Sequence, residues 1–153
     1  MREYNIAVVG ASGLVGRKML TVLHERQLPI KELSLFASAR SAGQKLVYNG
    51  QEITIQELTE DSFEGIDIAL FSAGGDTSKK YAPIAATAGC TVIDNSSAWR
   101  MDDSTPLVVP EVNPDALKDH KGIIANPNCS TIQLMLPLKA IHENYGLKRV
   151  ICS

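Results

Sequence analysis

Long apolar runs, clustered cysteines and blocks of one charge are all missing from this 153-residue sequence. No uninterrupted apolar stretch approaches the ~20 residues needed to span a bilayer. No Lys/Arg block stands out, and 15 basic residues against 17 acidic ones leave a net charge of -2. That balance excludes a general nucleic-acid-binding or anionic-membrane surface. The three cysteines, Cys90, Cys129 and Cys152, are odd in number, widely spaced and free of any CxxC pair. A disulfide framework and a cysteine-built zinc site are thereby excluded, no metal is expected, and one reactive thiol still fits. Repeats, low-complexity tracts and linkers are absent as well. No apolar signal region precedes the first strand-like segment, so a cytoplasmic protein is expected.

What is present is an ordinary globular composition, 44% hydrophobic and 21% charged, at a length that suits one domain. Ile6-Ala7-Val8-Val9 is wholly apolar and ends at Gly10, the pattern of a strand buried on both faces. Leu14, Val15, Met19, Leu20, Val22 and Leu23 then recur at helical spacing. Further strands are predicted over residues 33–37, 66–71, 91–94, 107–109 and 123–125, with another beginning at 149–152. The stretch 45–58, broken by Asn49-Gly50, predicts a hairpin. Helices are predicted over 78–88, with Pro83 inside and Gly89 closing it, and over 129–145, with Pro137 inside and Gly146 as its cap. Strands and helices alternate with short links. The fold class is therefore α/β, a doubly wound, mostly parallel, Rossmann-like sheet. A chain that stops as a buried-type strand starts is expected to be truncated before a second domain.

Gly10-Ala11-Ser12-Gly13-Leu14-Val15-Gly16 joins the first strand to the first helix with GxxGxxG spacing. Gly10 suits the tight turn, Gly13 lets the backbone approach a pyrophosphate, and Gly16 allows close helix–strand packing. The phosphates would meet free N–H groups at the positive end of the helix dipole. A plain strand–helix turn is the simpler alternative, but strand, helix and position all favour dinucleotide binding. After the second strand, an NAD site usually carries an acidic residue for the ribose hydroxyls. Here the stretch is Ala37-Ser38-Ala39-Arg40-Ser41-Ala42-Gly43. Arg40, with the Ser38 and Ser41 hydroxyls, suits a 2′-phosphate and hence NADP. An ordinary Arg-Ser surface loop is the alternative.

Asn126-Pro127-Asn128-Cys129-Ser130-Thr131 leads from a short strand into an apolar helical segment. Asn128 is a good N-cap, which puts Cys129 at the first helical position. There the helix dipole and nearby N–H donors favour a thiolate, the form that attacks acyl groups. A small buried apolar role is the usual fate of a cysteine, and it is the one expected for Cys90 and Cys152.

With these residues, together with residues 94–101 (DNSSAWRM) and 106–113 (PLVVPEVN), the sequence resembles bacterial-type aspartate-semialdehyde dehydrogenase. The resemblance runs along the whole chain in order, and Asn-Cys-Ser-Thr is its most specific part. It implies NADP-dependent reductive dephosphorylation of 4-phospho-L-aspartate to aspartate 4-semialdehyde, in the biosynthesis of lysine, threonine, methionine and diaminopimelate. Cys129 matches the nucleophile that forms an acyl-thioester. Arg100 matches a phosphate-binding arginine and Asn128 its neighbour in the substrate site; an exposed salt-bridge role is the alternative for Arg100. Ser12 to Val15 and Arg40-Ser41 match cofactor positions. Ser72, Gly74 and Asn95 would line the same crevice. The resemblance also implies a homodimer, a cofactor domain over residues 1–128, and a catalytic and dimerisation domain beginning at 129–153. Its histidine base, glutamine and carboxylate-binding arginine would lie beyond residue 153, and none of His24, His120 and His142 matches the base. The piece alone is thus expected to lack useful turnover. Two alternatives remain open, an N-acetyl-glutamyl-phosphate reductase-like enzyme and a non-catalytic nucleotide-binding domain.

Overall fold

The computed structural model describes residues 2–152. The first apolar run lies in β1 (Tyr4–Val9) and feeds two cores by simple alternation. Ala7 and Val9 join Phe36, Phe71 and Val92 on one face, while Ile6 and Val8 join Leu20, Leu23 and Leu35 on the other. A strand apolar on both faces needs cover on both. α1 (Leu14–Glu25) supplies Leu20 and Leu23 to the second face, helped by Leu46 of the hairpin β3 (Lys45–Tyr48) and β4 (Gln51–Thr54). α2 (Gly75–Thr87) supplies Ala82 and Ala85 to the first.

The sheet adds β2 (Ile30–Ala37), β5 (Gln56–Glu57), β6 (Ile68–Phe71), β7 (Thr91–Asp94) and β8 (Ile123–Ala125). Its order is β5-β2-β1-β6-β7-β8, and every neighbouring pair is parallel. The chain winds outward from β1 to β2 and β5, then returns to β6 on the other side of β1. This is the doubly wound, Rossmann-like arrangement expected, and its switch point lies between β1 and β6. All the strand carboxyl ends share one edge of the sheet.

Four expectations need correction. Residues 107–109 form no strand, only an isolated parallel bridge from Leu107 to Ala125. Pro106 and Pro110 lack donors, Ala125 bonds only Pro106 O and Val108 N, at 2.9 and 3.0 Å, and Asn113 folds back on the others, its Oδ1 accepting from Val109 N at 2.8 Å and its Nδ2 donating to Leu107 O at 3.0 Å. Residues 149–152 are not a strand, and Cys152 is exposed rather than buried. The hairpin ends at Thr54, and the following Gln56-Glu57 joins the main sheet beside β2. α2 starts at Gly75, ahead of the expected Ser78, which leaves Pro83 deep inside the helix. The missing Pro83 N–H frees the carbonyl of Lys79, an exposed residue, so water can serve it. α3 (Cys129–Tyr145) has the expected bounds, with Gly146 at φ 71 as its cap.

Cys90 is 1% exposed in the first core. Burial pushes its thiol up to about 12, with the negative charge of Asp67 adding to the effect. An unfolded thiol ionises near 9.0. Between those values the folded chain holds the extra proton, so stability present below about pH 9 is lost as pH rises toward 12. Thermal melts across that range are expected to fall more steeply for the native sequence than for Cys90→Ala.

Candidate functional site

At the switch point the chain turns sharply after Val9. Gly10 has φ 87, a conformation open chiefly to glycine, and a Cβ there would stand 2.3 Å from the Ser72 carbonyl oxygen. A Cβ on Gly16 would lie 2.3 Å from the Gly10 carbonyl oxygen, so α1 seats on its own entry turn only because residue 16 lacks a side chain. Gly13 is different: a Cβ would have just Gly10 O for company, at 3.4 Å. Gly13 is the N-cap of α1, without a side-chain cap, and the first turn of the helix holds no acidic residue. The amides of Leu14 and Val15 have no earlier helical carbonyl to reach.

A cavity of about 510 Å³ opens in front of this turn. Gly10, Ser12 and Gly13 line it after β1, and Ala37, Ser38 and Ala39 after β2. Ser72 and Ala73 close it after β6, with Thr77 and Tyr81 of α2. The bare glycine turn, the uncapped helix start and this volume fit a dinucleotide whose pyrophosphate lies against the amides. Leu14 and Val15 are 87% and 49% exposed, and their side chains stand outside the cavity. Arg40 is exposed and Ser41 half-buried, both in the 3-10 turn Ala39–Ser41 at the rim. Gly74 is the N-cap of α2 with φ 85, next to the lining residue Ala73.

Sequence reasoning missed Glu57 and Leu58, which also line the cavity. Glu57 ends β5, in register with Ala37, and Leu58 follows it, its N–H donating to Ala37 O at 2.8 Å. A carboxylate therefore lines the cavity from β5, beside β2 in the sheet, and not from the end of β2 itself. Its only sequence signal was an alternating stretch assigned to the hairpin.

The second half of the site lies along the same carboxyl edge. Asn95 follows β7, Asn126 follows β8, and the two side chains meet, Asn126 Nδ2 donating to Asn95 Oδ1 at 2.7 Å. Arg100 spans both loops: its Nε donates to Asn126 O at 3.0 Å and its Nη2 to Asn95 O at 2.8 Å. Its loop is held from behind by Asp94, 0% exposed, which accepts from the Ser96 amide at 3.2 Å and the Ser96 hydroxyl at 2.6 Å. Trp99 Nε1 donates to the buried Ser78 Oγ of α2 at 2.9 Å. Asn128 caps α3 as expected, its Oδ1 accepting from Ser130 N at 3.0 Å. Cys129 is thus the first residue of the helix, and it is exposed. Three strand spacings, roughly 14 Å at the usual sheet pitch, separate β8 from β1. Cys129 and Arg100 do not line the cavity; they flank it on the same edge. His24 and His142 are exposed on α1 and α3, and His120 lies before β8, at the opposite edge. Among the described residues no cluster of His, Cys, Asp and Glu is placed to hold a metal, and no helix is long and apolar enough to cross a membrane.

A parallel doubly wound sheet with a bare glycine turn at its switch point defines a dinucleotide-binding domain of the Rossmann class. The family described as "Semialdehyde dehydrogenase, NAD binding domain" matches residues 5–120. The chain belongs to that family. It is 60% identical to the aspartate-semialdehyde dehydrogenase of Aquifex aeolicus over 153 residues, which is 98% of this chain and 45% of the relative. The structure of aspartate semialdehyde dehydrogenase II from Vibrio cholerae complexed with ASA superposes with a TM-score of 0.93 at 51% identity, over 97% of this chain and 49% of that one. The Candida albicans enzyme solved with NADP superposes with a TM-score of 0.79 at 28% identity, over 95% of this chain and 48% of that one. The chain therefore spans a little under half the length of the curated relatives it matches.

Proposed function

We propose that this chain is the cofactor-binding and nucleophile-bearing part of an NADP-dependent aspartate-semialdehyde dehydrogenase. The observation that carries the reading is the shared edge: the glycine turn, Arg100 and an exposed, N-terminal helical Cys129 all sit at the strand carboxyl ends. In the direction of reduction, Cys129 Sγ attacks the acyl carbon of 4-phospho-L-aspartate. A C–S bond forms, the bond to the phosphate oxygen breaks, and inorganic phosphate leaves. Arg100, held by two carbonyls, has donors left over for phosphate oxygens and lowers the cost of their charge. Asn128 keeps the sulfur at the helix start. NADPH, when bound, supplies the hydride that releases the aldehyde. Gly10, Ser12, Gly13 and the amides of Leu14 and Val15 would hold its pyrophosphate, Arg40 and Ser41 its 2′-phosphate, and Ser72 and Gly74 would line the far side of the crevice.

In this reading residues 1–128 form the cofactor domain, and 129–153 open a catalytic and dimerisation domain. In support, α3 contains no buried residue and leaves Leu134, Leu136 and Ile141 exposed, an apolar helix without cover. In the same reading the enzyme is a cytoplasmic homodimer acting on small molecules. The turnover test uses the complete enzyme carrying this chain, with aspartate semialdehyde, phosphate and NADP. Appearance of NADPH supports the reading, and its absence with a correctly folded enzyme defeats it. Cofactor choice can be read from the chain alone. Arg40→Ala is expected to weaken NADPH binding roughly tenfold, the scale of one charge-assisted contact, and to leave NADH binding within about twofold. Equal affinity of the native chain for both dinucleotides would remove the role given to Arg40.

A further inference from the structure

We propose that Glu57 reads the purine of the bound dinucleotide: its carboxylate accepts a hydrogen bond from the exocyclic amino group of adenine and rejects bases with a carbonyl at that position. This rests on the cavity being a dinucleotide seat and says which groups of that ligand it distinguishes. The cavity crosses the strand ends in order. Pyrophosphate against the Gly10–Gly13 turn lies over β1, which puts the adjoining ribose at Ala37–Ala39 beyond β2. The base attached to that ribose then falls one strand further out, between β5 and α2.

The residues waiting there suit a flat aromatic base with a donor on its rim. Leu58 is buried and Tyr81 half-buried, and Tyr81 Oη donates to Leu58 O at 3.4 Å, which ties α2 to β5 and fixes the two walls. Glu57 is the one charged residue among the described residues lining the cavity. Its pairing with Ala37 holds it level with the ribose end of the seat. An ionised carboxylate offers acceptors and no donor. Adenine presents an amino donor where guanine presents a carbonyl acceptor, as hypoxanthine also does, so one base is matched and the others are repelled. Arg40 stands outside the lining on the neighbouring segment. The 2′-phosphate and the base are thus read by separate residues of opposite charge.

The test titrates the chain, Glu57→Gln and Glu57→Ala with NADPH, its hypoxanthine analogue and NADH, following nicotinamide fluorescence, with thermal melts to confirm folding. The native chain is expected to bind NADPH about tenfold tighter than the hypoxanthine analogue, the worth of one hydrogen bond to a charged group. Glu57→Gln has an amide that both donates and accepts, so the preference should fall to within about twofold, and Glu57→Ala should lose it as well. A native chain that binds both analogues equally, or a preference that survives both substitutions, overturns the proposal. So does a changed NADPH-to-NADH ratio with the base preference intact, which would put the carboxylate on the ribose. Failure of the native chain to bind any of the three would bring down the dinucleotide seat itself, and the proposal with it.

Discussion

Gly10→Ala is expected to cost about 3 kcal/mol or more, through two effects that reinforce each other. An alanine at φ 87 carries left-handed backbone strain. Its methyl would also stand 2.3 Å from the Ser72 carbonyl oxygen and 2.7 Å from the carbon behind it. Both atoms belong to the backbone at the end of β6, and Ser72 N is bonded to Val9 O at 2.8 Å, so neither side can yield cheaply. For a domain of this size the loss lowers the melting temperature by roughly 10 °C. Gly13→Ala is the informative contrast. Residue 13 has extended backbone, φ -74 and ψ 167, and its methyl meets Gly10 O at an ordinary 3.4 Å. Stability should change by less than about 0.5 kcal/mol, while NADPH affinity falls about tenfold or more as the methyl fills the phosphate approach. Melts and fluorescence titrations on the two variants separate a glycine needed by the fold from one needed by the ligand. A native melting temperature for Gly10→Ala would contradict the steric account.

The second large effect concerns the sulfur. In the complete enzyme Cys129→Ala should lower turnover by about 10⁴-fold or more, the scale seen when a covalent nucleophile is removed. NADPH affinity should stay within about twofold, because Cys129 lies outside the cavity. The chain itself offers a direct check with an alkylating reagent and peptide mapping. Cys129 and Cys152 are exposed and Cys90 is buried, so the first two should be modified in the folded chain and Cys90 only after unfolding. Faster labelling of Cys129 than of Cys152 is expected from its place at a helix start. Equal rates for the two would remove the argument that the helix activates it.

The doubly wound sheet was legible because the central strands carry apolar residues toward both faces and are followed by glycine, serine or asparagine. Ile6–Val9 and Thr91–Asp94 needed no help from tertiary context, and of the strand expected over 66–71 the part Ile68–Phe71 is paired. The helix start at Cys129 was legible from Asn128, whose cap bond is local. Errors fell where pairing is decided at a distance. Residues 107–109 look like a strand, yet only Val108 reaches β8, through Ala125 O, while Leu107 and Val109 bond the side chain of Asn113. Gln56-Glu57 looked like the tail of a hairpin because nothing local says that β2 will pair with it. That one pairing delivered Glu57 to the cavity. The tie between Arg100 and the loops after β7 and β8 was hidden for the same reason, since its partners are the carbonyls of Asn95 and Asn126, 5 and 26 residues away.

The ends of the sheet carry a consequence for self-association. β5 has two residues and β8 three. Beyond β8 the outer hydrogen-bonding positions of Ala125 are taken, its N–H by Pro106 O at 2.9 Å and its carbonyl by Val108 N at 3.0 Å. Beside β5 the N–H and carbonyl of Ile55 are bonded to Gln44 O and Gly43 N. Stubby, occupied borders give a foreign strand almost no ladder to extend. At these two borders ribbon-to-ribbon polymerisation is thereby discouraged, and the greasy flank of α3 is the side-chain surface on offer to a second copy.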